Sequence, residues 1–195
     1  MKKLNEFVEK AGLEKNILLE DLPNIDLYMD QVIQLFENTF RDAKRNEEEK
    51  VLTKTMINNY AKGKLFFPIS NKKYSKEHLI LISLIYQLKG VLSISDVKKT
   101  LAEVNEKSVD GKADLEKLYA SYLTLADNNL EKFQESIVTH EEDVQEVVHQ
   151  FEEQDADYIK QLLTISSLVQ MSNMYRRVAE KLVDEINDPD TGKNK

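Results

Sequence analysis

The stretch Thr53–Leu88, "TKTMINNYAKGKLFFPISNKKYSKEHLILISLIYQL", decides how this chain is read. Its first part is helical in pattern. Leu52, Met56 and Tyr60 recur every four residues with Ile57 beside them, so one face is expected to be buried. Thr53 can cap the start, and Gly63 can end the helix. "KLFFPISNKKYS" then breaks the pattern with Pro68 and the polar pair Ser70-Asn71, which fits a short hairpin or loop. Ser75 caps "KEHLILISLIYQLKG", closed by Gly90. That segment is apolar nearly all round, which predicts a central helix buried on most sides.

The pattern extends outward in both directions. Downstream, "SISDVKKTL" opens with Ser93 and Asp96 as an acidic capping box, with Leu92, Val97 and Leu101 as its buried side. Upstream, "IDLYMDQVIQLFENTF" places Leu27, Val32, Leu35, Phe36 and Phe40 on an amphipathic helix, with Asn24 or Asp26 as its cap after Pro23. "RDAKRNEEEK" is polar except for Ala43 and reads as a loop. "EKSVDGK", with Gly111, marks a boundary. Beyond it run two helical stripes. One is Tyr119, Leu123, Ala126, Leu130, Phe133 and Ile137; the other is Ile159, Leu162, Ser166 and Val169, resuming as Tyr175, Val178, Leu182 and Ile186. Such seams want partner helices. "HEED", from His140, reads as a solvated helix start capped by Thr139, and the Met and Tyr residues of "LVQMSNMYRRV" read as core. The expected organisation is an N-terminal helical or mobile segment over 1–23, a unit over 24–107, a helical region over 108–187 and a mobile tail over 188–195.

Composition sets the class. Of 195 residues, 41% are hydrophobic and 32% charged, with only 5 Gly and 3 Pro, which favours helices. The absence of Cys excludes disulfides and thiolate metal sites. "MKKLNEFVEK" has no apolar run behind it and "HLILISLIYQL" is about half the ~20 residues needed to span a bilayer, so a cytoplasmic protein without membrane contact is expected. The net charge of −8 conceals an asymmetry. Residues 1–50 carry −4, residues 51–101 carry +7 from nine Lys against Glu77 and Asp96, and residues 102–195 carry −11.

A local excess of positive charge is the footprint of a nucleic-acid contact. On a helical wheel Lys54, Asn58 and Lys62 lie one turn apart, opposite Leu52, Met56 and Tyr60. Thr53, Thr55 and Asn59 border that stripe, and Lys64, Lys72, Lys73 and Lys76 follow around the expected hairpin. Lysines suit phosphates, and Asn suits the adenine edge in the major groove. The candidate partner is therefore double-stranded DNA. The competing readings are a basic face that binds an acidic protein partner, and a basic segment balanced by the chain's own acidic part.

The same residues carry a resemblance. "TKTMINNYAKGKLFFP" with "KKYSKEHL" resembles an uncharacterised bacterial domain-of-unknown-function family, number 1836, over about residues 24–130. Over a shorter span the chain also resembles the winged helix-turn-helix of MerR-type transcription regulators. Thr55, Tyr60, Gly63, Leu65, Pro68 and Tyr74 match its recognition helix and wing. Leu79, Ile82, Ile85 and Leu88 match its third helix, and Ser93, Val97 and Leu101 its fourth. MerR-type recognition helices usually present an arginine where this chain has Asn58. The resemblance implies a DNA-binding fold and names no regulon or ligand.

Other chemistry finds little support. Glu146 and His149 form a single Glu-x-x-His, where a di-iron bundle needs two such units and further glutamates. His78 sits where a helix-capping or packing residue is expected. There is no phosphate loop and no nucleophile elbow. The expectation is an all-α chain with a small β-wing, a winged helix-turn-helix followed by a C-terminal dimerisation region. It would regulate transcription as a homodimer, with no catalysis, cofactor or metal, and no residues assigned to an effector ligand.

Overall fold

The structure, a computed structural model of the chain, describes residues 4–186. Among these it is mostly helical, with one two-stranded antiparallel sheet. The elements are α1 (Leu4–Lys10), β1 (Leu27–Tyr28), α2 (Met29–Phe40), α3 (Lys54–Gly63), β2 (Lys73–Tyr74), α4 (Lys76–Leu88), α5 (Ile94–Val109), α6 (Leu115–Val148) and α7 (Glu153–Glu185). No helix among the described residues is long and apolar enough to cross a membrane.

The core is built round α4. Eight consecutive residues, His78 to Ile85, are buried, because α6 and β2 pack on the helix and the aromatic rings of α2 meet it at Tyr86. Its start is held by His78, whose Nδ1 accepts the Ser75 N–H at 3.1 Å. With Nδ1 accepting, the proton sits on Nε2, which donates to the Phe67 carbonyl at 3.2 Å. Ser83 turns inward, and its hydroxyl donates to the Leu79 carbonyl at 2.9 Å. At the other end, Tyr86 packs on Phe36 and Phe40 with ring centroids 6.0 and 4.5 Å away. The Ser93–Asp96 cap is present, and Leu92, Val97 and Leu101 are buried as the sequence predicts.

Several local expectations are corrected. Leu27 is not helical. Leu27 and Tyr28 pair with Tyr74 and Lys73, and α2 begins only at Met29. Neither Asn24 nor Asp26 caps it; the Gln31 side chain reaches back to accept the Tyr28 N–H at 2.9 Å. Gly63 is the last residue of α3, and the left-handed residue that ends the helix is Lys64, at φ 56°. Leu65 N–H returns to the Tyr60 carbonyl (3.0 Å) and Lys64 N–H to Ala61 (3.1 Å), a Schellman closure. Gly63 serves space instead: a Cβ there would lie 2.7 Å from Leu65 Cδ1.

The chain breaks at Gly111 (φ 67°), yet the next helix enters the same core. Leu115 and Tyr119 are buried with Ile17 and Leu22, and Tyr119 donates to the Ile17 carbonyl at 2.8 Å. Gln87 bonds Asn16 at 3.2 Å, which ties the N-terminal segment to α4. α6 runs without interruption through His140, which is therefore mid-helix, because nothing from Leu115 to Val148 is a Gly or Pro. α7 folds back along α6. Its packed side includes Thr164 and Val183, whereas Leu162, Val169, Tyr175, Val178 and Leu182 of the expected stripe are exposed. Met174 and Tyr175 are also outside the core. Periodicity marks an apolar face without saying which neighbour covers it. The expected tail, 188–195, lies outside the described residues.

Candidate functional site

Thr53 opens α3 with its Oγ1 accepting the Met56 N–H at 3.1 Å. That cap orients the helix. Ile57 and Tyr60 turn into the core, and Lys54, Thr55, Asn58, Asn59 and Lys62 are left exposed on the outside. The residues expected to form one polar face therefore do so. Burial pushes the Tyr60 phenol above its ordinary value, in keeping with its place on the inner side.

Leu65 and Phe66 then plunge into the core, and the chain reverses at Ser70–Lys73. Asn71 and Lys72 are both left-handed (φ 52° and 58°), and the Lys73 N–H donates to the Ser70 carbonyl at 2.9 Å. Two consecutive positive φ values are the signature of a type I′ turn. Such a turn favours Asn-Gly, and here a lysine occupies the second position. All three non-glycine residues with positive φ among those described, Lys64, Asn71 and Lys72, fall in this basic segment.

The lysines are not equivalent. Lys62, Lys64 and Lys72 are exposed. Lys54 Nζ is 2.8 Å from Asp30 Oδ1 at the start of α2, with both side chains largely solvated. Lys73 lies over the Tyr28 ring, 5.2 Å from its centroid. Because Tyr28 leads directly into α2, these two contacts bring the base of the turn and the start of α3 together around β1. Lys76 is drawn inward. Its Nζ sits 2.9 Å from Glu116 of α6 and its side chain is only 19% exposed, so it links α4 to α6. Lys64 is held by α5 through its carbonyl, 3.4 Å from Asn105 Nδ2.

Asp30, Tyr28 and Glu116 were not singled out from the sequence. No local pattern marks them, since each acts on a lysine more than 20 positions away. The acidic 41–50 loop closes on itself where Glu49 accepts the Arg45 N–H at 2.8 Å, and is tied to α2 where Lys44 pairs with Glu37 at 2.7 Å. Glu49 lies towards Lys89, whose ammonium is pulled below its ordinary value by burial and partly restored by that carboxylate.

The family model described as Domain of unknown function (DUF1836) matches residues 17–122, more than half of the 195-residue chain. The chain belongs to this family. The match begins at buried Ile17 and ends just past Tyr119, so it takes in the α4 core and the first turns of α6. No curated protein and no solved structure matches the chain significantly.

Proposed function

We propose that this protein binds double-stranded DNA in a sequence-specific manner and regulates transcription from the cytoplasm, without catalysis, through a MerR-like winged helix-turn-helix. In this reading α3 is the recognition helix and the Ser70–Lys73 turn is the tip of the wing. One observation carries the reading: Thr55, Asn58, Asn59 and Lys62 form an uncovered polar face on α3, with Lys72 exposed on the turn. Such a face offers amides and hydroxyls to base edges and ammonium groups to phosphates. Lys54 would exchange Asp30 for a phosphate on binding. Lys73 would contribute charge beside Tyr28, and Lys76 would act structurally. Two half-sites one helical turn apart would call for two copies of the chain.

A second reading, a basic surface for an acidic protein partner, is favoured by the Lys54–Asp30 and Lys76–Glu116 pairs, in which carboxylates already satisfy part of the set. Gel-shift titration of genomic fragments at two salt concentrations separates the two. Affinity for DNA should fall steeply with salt, and Lys62→Ala should weaken all sequences and flatten that slope. Asn58→Ala should relax specificity, at about 1–3 kcal/mol on the preferred site. Absence of binding to any fragment at low salt would eliminate the DNA reading.

A further inference from the structure

The antiparallel hairpin of α6 and α7 is well closed at both ends and open between them. Near its tip, Lys160 reaches Gln145 at 2.7 Å and Glu141 at 3.8 Å, and Ile137, Val144, Val148 and Thr164 are buried. At its base, Leu115, Tyr119 and Val183 share the core with α4 and α5. This register sets residues 120–136 of α6 opposite residues 165–182 of α7. Among the described residues, neither stretch contains a fully buried side chain. Apolar side chains are nevertheless plentiful there: Val169 is 54% exposed, Met174 56%, Tyr175 74% and Val178 62%.

Composition makes the exposure more telling. The 15 residues from Gln161 to Tyr175 carry no charge, where the chain average of 32% would place about five. Between its apolar residues the stretch has only uncharged Gln, Ser, Thr and Asn side chains, which cost far less to bury than charges do. The wheel agrees. Leu162, Ile165 and Val169 point one way, while Met174, Val178 and Leu182 point nearly the opposite way. A helix that docks in a partner's groove presents one stripe. Two stripes in opposed directions mark a helix meant to lie inside a bundle.

We infer that this section is the interface with a second copy of the chain, two hairpins closing into a four-helix bundle with the exposed apolar positions of α7 turned toward the shared core. Within the chain α1 packs on α6, so the surface left without a partner is that of α7, and two hairpins together supply the usual four long helices. The charges bordering the open section fit this occupant. Residues 120–136 hold Asp127, Glu131 and Glu135 against Lys132, and residues 165–182 hold Arg176, Arg177 and Lys181 against Glu180. The α6 section is thus net −2 and the α7 section net +2, complementary across a two-fold axis. The stripe from Leu162 to Leu182 runs about 30 Å at 1.5 Å per residue. That length suits an interface of about 800 Å² per partner. Residues 187–195, "NDPDTGKNK", offer only Pro189 as an apolar side chain, far too little to cover a stripe of this length.

The surface belongs to the hairpin alone, and its test needs no DNA. Sedimentation or light scattering of the full chain at micromolar concentration should give twice the 22.6 kDa chain mass. The double variant Val169→Glu, Val178→Glu changes only exposed positions, so it should keep its helical circular dichroism and fall to 22.6 kDa. A wild type of 22.6 kDa overturns the inference, whether or not another protein binds the same face. A double variant that stays dimeric assigns the interface elsewhere and overturns it too. A dimer that binds no DNA leaves this inference standing and removes only the functional reading.

Discussion

The α4 body and the α6–α7 hairpin are made from similar residues and solve burial differently. In the body, Leu79 to Ile82 and Ile85 have no exposed surface, because three elements surround one helix. In the hairpin, α7 has α6 along one side and α5 beside its last turns, where Lys99 Nζ donates to the Asp184 carbonyl at 3.2 Å, and many of its other apolar positions face outward. What differs is the number of covering layers, not the apolar content of the helices. A core needs at least two packed layers on a helix that is apolar all round. One chain supplies them for α4 and leaves the middle of α7 short of them.

The largest test of that contrast is a pair of truncations. Ile82→Ala opens a cavity in a fully enclosed site and should cost about 2–5 kcal/mol. Val178→Ala, exposed in the single chain, should shift the stability of the monomer by no more than about 0.5 kcal/mol. Thermal melts read both; comparable losses at low protein concentration would mean that α7 is enclosed after all.

The joint between the two regions comes next. The Tyr119 hydroxyl is the bond from the base of α6 to the Ile17 carbonyl, and burial pushes its pKa up to about 12, so it remains a donor at any ordinary pH. Tyr119→Phe leaves the carbonyl of fully buried Ile17 without that partner and should cost about 1–3 kcal/mol in a denaturant titration. An unchanged midpoint would show that this bond contributes nothing to holding the hairpin on the body.

The body was far more legible in the sequence than the hairpin. The cap residues Thr53, Ser75 and Ser93 lie where local hydrogen bonding determines the answer, and α3, α4 and α5 start there. The polar face of α3 follows from the same periodicity. The misses are tertiary. Leu27 and Tyr28 become a strand only because Tyr74 and Lys73, more than 40 positions later, offer them a partner. Lys76 looks like surface charge until Glu116 stands beside it. The exposed stripe of α7 has the correct period and lacks a neighbour within the chain.

His78 gives a pH test of the body alone. Burial holds its pKa below the ordinary 6.5, opposed by the Phe67 carbonyl and the Glu77 and Asp26 carboxylates. The folded state therefore prefers the neutral ring. Its stability contribution is complete above pH 6.5 and is lost as pH falls through the lowered folded value. Melting temperature should drop between about pH 7.5 and about pH 5.5. His78→Gln keeps a side-chain acceptor at the third helical position, as a Ser-x-x-Gln capping box does, and should flatten that drop. Glu77 titrates in a separate window. Its pKa lies below 4.5, chiefly through the Ser75 hydroxyl, so its contribution disappears only at more acid pH. An equal drop in the variant would move the sensitivity away from His78.

The smallest effect concerns the conformation of the basic segment. Lys72 sits at φ 58°, in the second position of a turn that prefers glycine. A lysine there carries backbone strain, and among the described residues its side chain makes no hydrogen bond or ion pair that would offset it. Relief of about 1–2 kcal/mol of left-handed strain, less about 0.4–1 kcal/mol for the greater freedom of glycine in the unfolded chain, should leave Lys72→Gly more stable by up to about 1 kcal/mol. The same change removes one exposed positive charge from the tip of the turn. If the turn meets phosphate, a more stable protein should bind DNA more weakly at low salt and show a shallower salt dependence by about one counterion. Lys64→Gly is the matched control at φ 56°, because it relieves similar strain at the far end of α3 and keeps the carbonyl that Asn105 contacts. Both variants should melt higher than the parent. If Lys72→Gly gains stability and its salt slope does not change, the turn makes no phosphate contact, and the recognition surface contracts to α3.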